Sequence, residues 1–259
     1  MQVRDLTSVI ENYAPLSLQE SYDNAGLICG SLDNEVSSVL LCTDVTEAVI
    51  DEAIAGNFNL IISHHPLSIQ PLKNLLPDNW IKRCLIRAIK NDLNIYAAHT
   101  NMDAVLKGVS GKIADKLELT EREILEKNAD LHTGFGLVGE LPQAVAAREF
   151  LEKVKSIFHC GVIRHTALCK PQVKRIAVCG GSGAFLIRQA ISAGADLYIT
   201  GDIKYHDFFN TENRLILADI GHYESEQYTK EIFYELVTKK ISKFAVQFSK
   251  VNTNPINYL

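Results

Sequence analysis

Leu60-Ile61-Ile62-Ser63-His64-His65-Pro66 is the stretch whose reading decides the fold. An apolar run ends abruptly in two adjacent imidazoles and a proline. Such a run reads as a buried strand. Proline cannot donate to a ladder, so the strand stops there. The two histidines then stand at a strand's carboxyl end, where open α/β sheets place their ligands. On an extended backbone, adjacent side chains point to opposite sides. That expectation makes one metal ion awkward for both imidazoles. Two ions, or one ion and one structural role, suit them better.

Outward from this strand, strand-like and helix-like segments alternate. Leu6 to Tyr13 reads as a helix, then Gly26 to Gly30 and Val36 to Cys42 as strands. Thr46 is placed to cap a helix that Gly56 ends. Trp80 to Lys90 is amphipathic, with Ile81, Cys84, Leu85 and Ile89 on one face. Leu93 to Ala98 is a strand leading into His99-Thr100-Asn101-Met102-Asp103, and a helix follows over Val109 to Leu117. Thr133 to Glu140 and Gly161 to Ala167 read as strands around a helix from Ala144 to Ile157. Strands follow at Arg175 to Cys179, Asp196 to Thr200 and Arg214 to Ala218. A helix near Tyr205 to Asn210, a long one from Glu224 to Lys239 and a last strand over Phe244 to Phe248 complete the chain.

Alternation of this kind implies α/β architecture. The segment around Val39 to Ser63 is echoed by Ile176 to Thr200: strand, helix, strand. The expected fold is therefore two similar, interlinked α/β lobes with mixed sheets flanked by helices and a metal site in the cleft between them. The expected division is 1–128 as a first lobe, 129–173 as a short β-α-β connection, and 174–259 as a second lobe.

Composition sets the outer bounds. The chain has 259 residues, 47% hydrophobic and 22% charged, with a net charge of −5. That is ordinary for a globular protein and gives no general drive toward nucleic acid or anionic membrane. The N-terminus lacks the apolar segment of a secretory signal, and no run approaches the roughly 20 residues that span a bilayer. Six cysteines form no CxxC pair and read as small buried hydrophobes of a reducing cytoplasm.

Four clusters lie just beyond predicted strands. They are His64-His65; His99 with Asp103; Asp202 with Lys204, Tyr205 and His206; and His222 with Glu226. The last two residues, four apart, share one helix face. Imidazole and carboxylate without thiolate suit zinc, iron, manganese or nickel. Three histidines and two carboxylates exceed one catalytic zinc with an open position, and match two ions bridged by a carboxylate. His132, His159 and His165 read as ordinary hydrogen-bonding residues. Gly180-Gly181-Ser182-Gly183 can be a phosphate-cradling loop or a tight strand-to-helix turn. It lacks the Rossmann spacing and the P-loop lysine. Asp44 and Asp23-Asn24 read as turn residues.

The motifs together resemble the Nif-three-like dinuclear metal-centre family, the GTP cyclohydrolase 1 type 2 homologues. They are Asp23-Asn24-Ala25-Gly26-Leu27, Thr43-Asp44-Val45-Thr46, Ser63-His64-His65-Pro66 and Ala98-His99-Thr100-Asn101-Met102-Asp103. The rest are Cys179-Gly180-Gly181-Ser182-Gly183, Thr200-Gly201-Asp202-Ile203-Lys204-Tyr205-His206 and Gly221-His222-Tyr223-Glu224-Ser225-Glu226. The resemblance spans nearly the whole chain. It implies two divalent metal ions held by His64, His65, Asp103, His222 and Glu226. It also implies a toroidal homohexamer, a trimer of dimers. Tyr22 stands where the family often has Trp, and the mid-chain domain of larger members is reduced to the segment Asp130 to Val173.

The leading expectation is a cytoplasmic, metal-dependent hydrolase acting on a nucleotide-like substrate. The family label makes that substrate GTP, with 7,8-dihydroneopterin triphosphate as product. His99, Asp202 or His206 would serve as acid or base or would orient the metal ligands, and Ser182 and Lys204 would contact substrate. A metal-binding assembly protein without turnover is the alternative. A metal-dependent phosphoesterase or nuclease, with Lys204 and Arg188 lining its cavity, is a third reading.

Overall fold

The computed structural model describes residues 1–130, 132–240 and 245–259. The chain opens with α1 (Val3–Tyr13) and β1 (Gly26–Cys29). A β-α-β unit follows, made of β2 (Ser38–Cys42), α2 (Glu47–Ala55) and β3 (Leu60–Ser63). Next come α3 (Trp80–Lys90), β4 (Asn94–Ala97), the single turn α4 (Thr100–Asp103) and α5 (Val109–Lys116). The middle of the chain forms β5 (Thr120–Lys127), β6 (Gly134–Ala146), α6 (Ala147–Ile157), β7 (Arg164–His165) and β8 (Gln172–Ser182). The last part gives α7 (Ile187–Ser192), β9 (Leu197–Gly201), β10 (Ile216–Asp219), α8 (His222–Glu226), α9 (Thr229–Lys240) and β11 (Ala245–Phe248). A 3-10 helix over Tyr205–Thr211 separates β9 from β10. Phe244, the expected start of the last strand, lies outside the described residues.

Two units emerge, each with its own mixed sheet. The first comprises Met1–Met102 and Thr229–Pro255. Its five strands run in the order β1-β4-β3-β2-β11. β4, β3, β2 and β11 are parallel, and β1 is antiparallel at one edge. A strand buried on both faces must be apolar throughout. All four residues of β3 are accordingly buried. Leu40, Val49, Ile50, Ile61, Leu85 and Ile95 form one core cluster under α2 and α3. Thr46 caps α2 as expected, its hydroxyl accepting from the Val49 N–H at 3.3 Å. α3 buries Cys84, Leu85 and Ala88, whereas Ile89 is 53% exposed. At 3.6 residues per turn Ile89 lies about 90° around the helix from the centre of that face, at its rim.

The second unit comprises Asp103–Tyr228 and Ile256–Leu259. Its six strands run β5-β6-β8-β9-β10-β7. β8, β9 and β10 are parallel, and the outer pairings are antiparallel. Phe150, Val154 and Phe158 of α6 and its end pack on Ile176, Val178, Ile199 and Ile216. Both echoed segments are thus β-α-β units with neighbouring parallel strands.

The observed units do not follow the division at 128 and 173. β5 pairs with β6, which draws the chain after Asp103 into the second unit. β11 pairs with β2, which returns the end of the chain to the first. Residues 129–173 are no separate connection, because β6 is an interior strand of the six-stranded sheet. The Gly180–Gly183 stretch is a continuation of β8 through Ser182 rather than an open loop. A Cβ on Gly183 would clash with the hydroxyls of Thr200 and Tyr198, so the glycine serves close packing. No helix among the described residues is long and apolar enough to cross a membrane.

Candidate metal centre

In the first unit the carboxyl ends of β2, β3 and β4 share one edge. His64 and His65 follow β3 there, and His99 follows β4. The backbone turns directly after Ser63, whose hydroxyl donates to the His65 carbonyl at 2.7 Å. The side chains therefore do not alternate as they would on a strand. The His64 and His65 rings converge, with centroids 4.8 Å apart. The expectation that they point to opposite sides is thus corrected: both lie beyond the extended backbone on which it depends. His99 stands 5.3 Å from each of them, edge-on.

Each ring is held by its Nδ1. His64 Nδ1 lies 2.9 Å from the Ala98 carbonyl. His65 Nδ1 lies 2.7 Å from Asp44 Oδ1, and His99 Nδ1 lies 2.8 Å from Asp23 Oδ1. A carbonyl can only accept, so His64 donates from Nδ1 and presents Nε2 as its lone-pair nitrogen. Carboxylates impose the same tautomer on the neutral rings of His65 and His99. Asp44 also accepts from the Thr253 hydroxyl at 2.6 Å. Burial raises the Asp44 pKa, but its interaction with His65 and the hydrogen bond from Thr253 outweigh it and hold the carboxyl below its ordinary value. His64, His65 and His99 together form a three-donor group able to hold a metal ion, with donor atoms within 4.8 Å of one another.

In the second unit the parallel strands β8, β9 and β10 present another carboxyl edge. Gly221 precedes α8 at φ +96°, and a Cβ there would run into the Glu224 carboxylate. Asp219 fixes this turn by accepting from the Gly221 N–H at 3.0 Å and the Ile203 N–H at 3.0 Å. Its carboxylate is also paired with Arg164. Helical spacing then brings His222 Nε2 within 3.0 Å of Glu226 Oε2. His222 Nδ1 meets Asp202 Oδ2 at 2.7 Å. Burial opposes the charged imidazole, but Asp202 and Glu226 raise its pKa to about 11. A metal ion at Nε2 would replace that proton.

Glu226 is only 3% exposed and lies against Gly181, whose φ is +62°. A Cβ on Gly181 would collide with the Glu226 carboxylate, so this glycine makes room for a donor. Ser225 accepts from the Gly181 N–H at 2.9 Å and donates to the His222 carbonyl at 2.7 Å. The Cys179 thiol is pushed up to about 12 by burial and by the charges of Asp103 and Glu226. Both carboxylates therefore act on the same buried end of β8.

The other expected residues fall elsewhere. His206 sits in an exposed aromatic cluster, 5.1 Å from Tyr205 and 6.2 Å from Phe209 by ring centroid. The Lys204 N–H donates to Asp207, and Ser182 is the exposed last residue of β8. Arg188 is exposed on α7. His165 Nδ1 meets the Thr166 carbonyl at 2.7 Å. Asp23 and Asp44 are more than turn residues, since each orients a histidine. The signal for Asp44 is its place just past β2, at the edge where β3 ends. For Asp23 the signal is antiparallel pairing: Gly26 faces Ala97, so the start of β1 meets the end of β4.

Comparisons place the chain in a known family. A family model described as Duf34/NIF3 (NGG1p interacting factor 3) matches residues 1–255. A Clostridium acetobutylicum protein named GTP cyclohydrolase 1 type 2 homolog is 35% identical over 229 residues, covering 87% of this chain and 85% of that one. A Lactococcus lactis protein of the same name is 32% identical over 263 residues, 98% of each chain. Among solved structures, a Bacillus cereus protein related to NIF3 is similar with a TM-score of 0.92 at 25% identity, covering 100% of this chain and 99% of that one. Reduced HcgD from Methanocaldococcus jannaschii is similar with a TM-score of 0.82 at 27% identity, over 97% and 98% of the two chains.

Proposed function

This chain belongs to the Duf34/NIF3 family, and we propose that it is a hydrolase of nucleotides that depends on two divalent metal ions. The ligands are His64, His65, Asp103, His222 and Glu226. The observation that carries the reading is the second layer around the imidazoles: His64, His65 and His222 each have Nδ1 against a carbonyl or a carboxylate. Ligating histidines characteristically have this arrangement, which fixes the ring and its tautomer. The donors are nitrogen and oxygen without thiolate, which suits zinc, iron, manganese or nickel.

Bound ions of this class supply Lewis acidity and lower the pKa of water toward neutrality. The chain's own residues supply position. Asp44 and Asp202 orient two imidazoles, and the two oxygens of Glu226 fit it to bridge. The names of the relatives favour GTP as substrate, with opening of the imidazole ring of its base. A cytoplasmic homohexamer is the assembly in which we place this activity.

The test is elemental analysis of the purified protein beside a His64→Ala/His65→Ala variant, followed by GTP turnover with several divalent metals. Near two ions per chain in the parent and a clear loss in the variant are expected. Negligible metal in both would sink the reading. Metal without metal-dependent turnover would turn it into a binding protein.

A further inference from the structure

We propose that the second unit carries a binding site for a nucleoside phosphate, set between β5 and α7 and separate from the metal donors. Binding there needs no metal ion.

The site follows from how much of a sheet one helix can cover. An α-helix is about 10–12 Å across and strands lie about 4.8 Å apart, so a helix shields roughly two strands. α7 packs through Ile187 and Ala190 with Ala177 of β8 and Tyr198 of β9. On the same face, β5 and β6 extend beyond it. Glu123, Leu125 and Lys127 alternate onto this face, and Val138 stands opposite Glu123. Arg175 lies two residues before Ala177, the partner of Val138, and so joins them. The result is a groove of about 560 Å³ between β5 and α7, within the size range of small-ligand sites. Along β8, Arg175 precedes Gly181, the neighbour of Glu226, by about 20 Å.

The lining differs from ordinary solvated surface. Lys127, Arg175 and Arg188 stand against a single carboxylate, Glu123, in a chain whose net charge is −5. Arg175 is fixed in place: its Nε–H donates to the Ala193 carbonyl at 2.7 Å, and an Nη1–H donates to Glu140 at 3.1 Å. Its remaining N–H groups are left for a ligand. Glu140 is shared with Lys174, so it does not cancel both charges. The telling group is Gln189. Its Oε1 is buried and has no hydrogen-bond partner among the described residues. A buried acceptor without a donor is costly and rare, and a ligand N–H would satisfy it.

These groups define the chemistry of the ligand. A phosphate matches the exposed Lys127 and Arg188. A flat base matches the apolar floor of Leu125, Val138 and Ala193. Phe185 is 54% exposed and precedes Arg188 by three residues, the spacing of one helix face, so it offers a ring for stacking. An N–H of the base then donates to Gln189 Oε1. A bare anion would leave that oxygen unpaired, and an uncharged ring would leave the cations unmatched.

Calorimetric titration of the full-length, metal-loaded protein with GMP tests this. Saturable binding should persist in His64→Ala/His65→Ala and weaken about tenfold or more in Arg188→Glu and in Lys127→Glu. Gln189→Leu should weaken GMP about fivefold and leave inorganic phosphate unchanged. Guanosine, which lacks the phosphate, should bind about tenfold more weakly than GMP. No binding of GMP at millimolar concentration would overturn the proposal. Binding lost in His64→Ala/His65→Ala and untouched by Arg188→Glu would also overturn it, since the metal centre would then hold the GMP. Equal affinities for GMP and inorganic phosphate, indifferent to Gln189→Leu, would overturn the nucleoside class. Photolabelling of the parent with 8-azidoguanosine monophosphate decides the location without any variant. Label is expected within residues 120–127 or 187–193, and label confined to other segments would overturn the site.

Discussion

At the residue scale, an imidazole binds metal only as well as it is aimed. Asp202 aims His222 through a 2.7 Å contact to Nδ1. Asp202→Asn keeps the size but can present an N–H to that nitrogen, which favours the wrong tautomer. Divalent-ion affinity should fall about ten- to a hundredfold, read by competition with a chromogenic chelator. Equal affinity in the two proteins would refute the orienting role. The His64-His65 pair was legible in the sequence because two imidazoles after an apolar run are conspicuous. Asp23 and Asp44 were not legible in this role. Each stands far along the chain from the histidine it serves, and only strand pairing joins them. The convergence of the paired rings was hidden too, since it depends on a turn that begins one residue earlier than extended geometry allows.

At the scale of elements, packing decides what can be removed. Phe150 of α6 is 2% exposed and belongs to the core of the second unit. Phe150→Ala should cost about 3–5 kcal/mol, measured by denaturant unfolding with an unchanged m-value. α2 and α3 are clamped from outside by Glu47 and Arg83, through two contacts of 2.9 and 3.0 Å. Arg83 holds the Glu47 carboxyl below its ordinary value of 4.5. A depressed carboxyl stabilises the fold above its unfolded pKa, and that contribution is lost as pH falls through the folded value. Any stability difference between the parent and Glu47→Gln at pH 7 should therefore shrink as pH falls from 4.5 through the lowered folded value, and shrink in high salt. A difference that persists in acid would show that the clamp acts by packing. Apolar elements such as β3, β9 and β10 were readable from composition. β5 was not: Thr120–Lys127 is an edge strand whose exposed positions other than Thr120 carry charge, and only Ile124 is buried. Charges on an edge prevent unwanted pairing, and they also erase the apolar signal of a strand.

At the scale of the whole molecule, bound ions should stabilise the folded chain by mass action. A chelator should lower the melting temperature of the parent and leave that of His64→Ala/His65→Ala unchanged, read by calorimetry at fixed protein concentration. An equal shift in both would place the stabilising ion elsewhere. The α/β class and the pair of similar lobes were legible from alternation and echo. The course of the chain was not, because pairing between β11 and β2 joins segments with no local relation.

That pairing also governs how the protein is made. β2 is apolar, and its partner on one side is β11, about 200 residues later. At roughly 5–20 residues per second, that edge waits about 10–40 s during synthesis before its cover emerges from the ribosome. The first unit to be translated therefore stays open at one edge until nearly the whole chain has been made. Its open edge, with Val39 and Leu41 on a bare ladder, is where a nascent-chain chaperone would be needed.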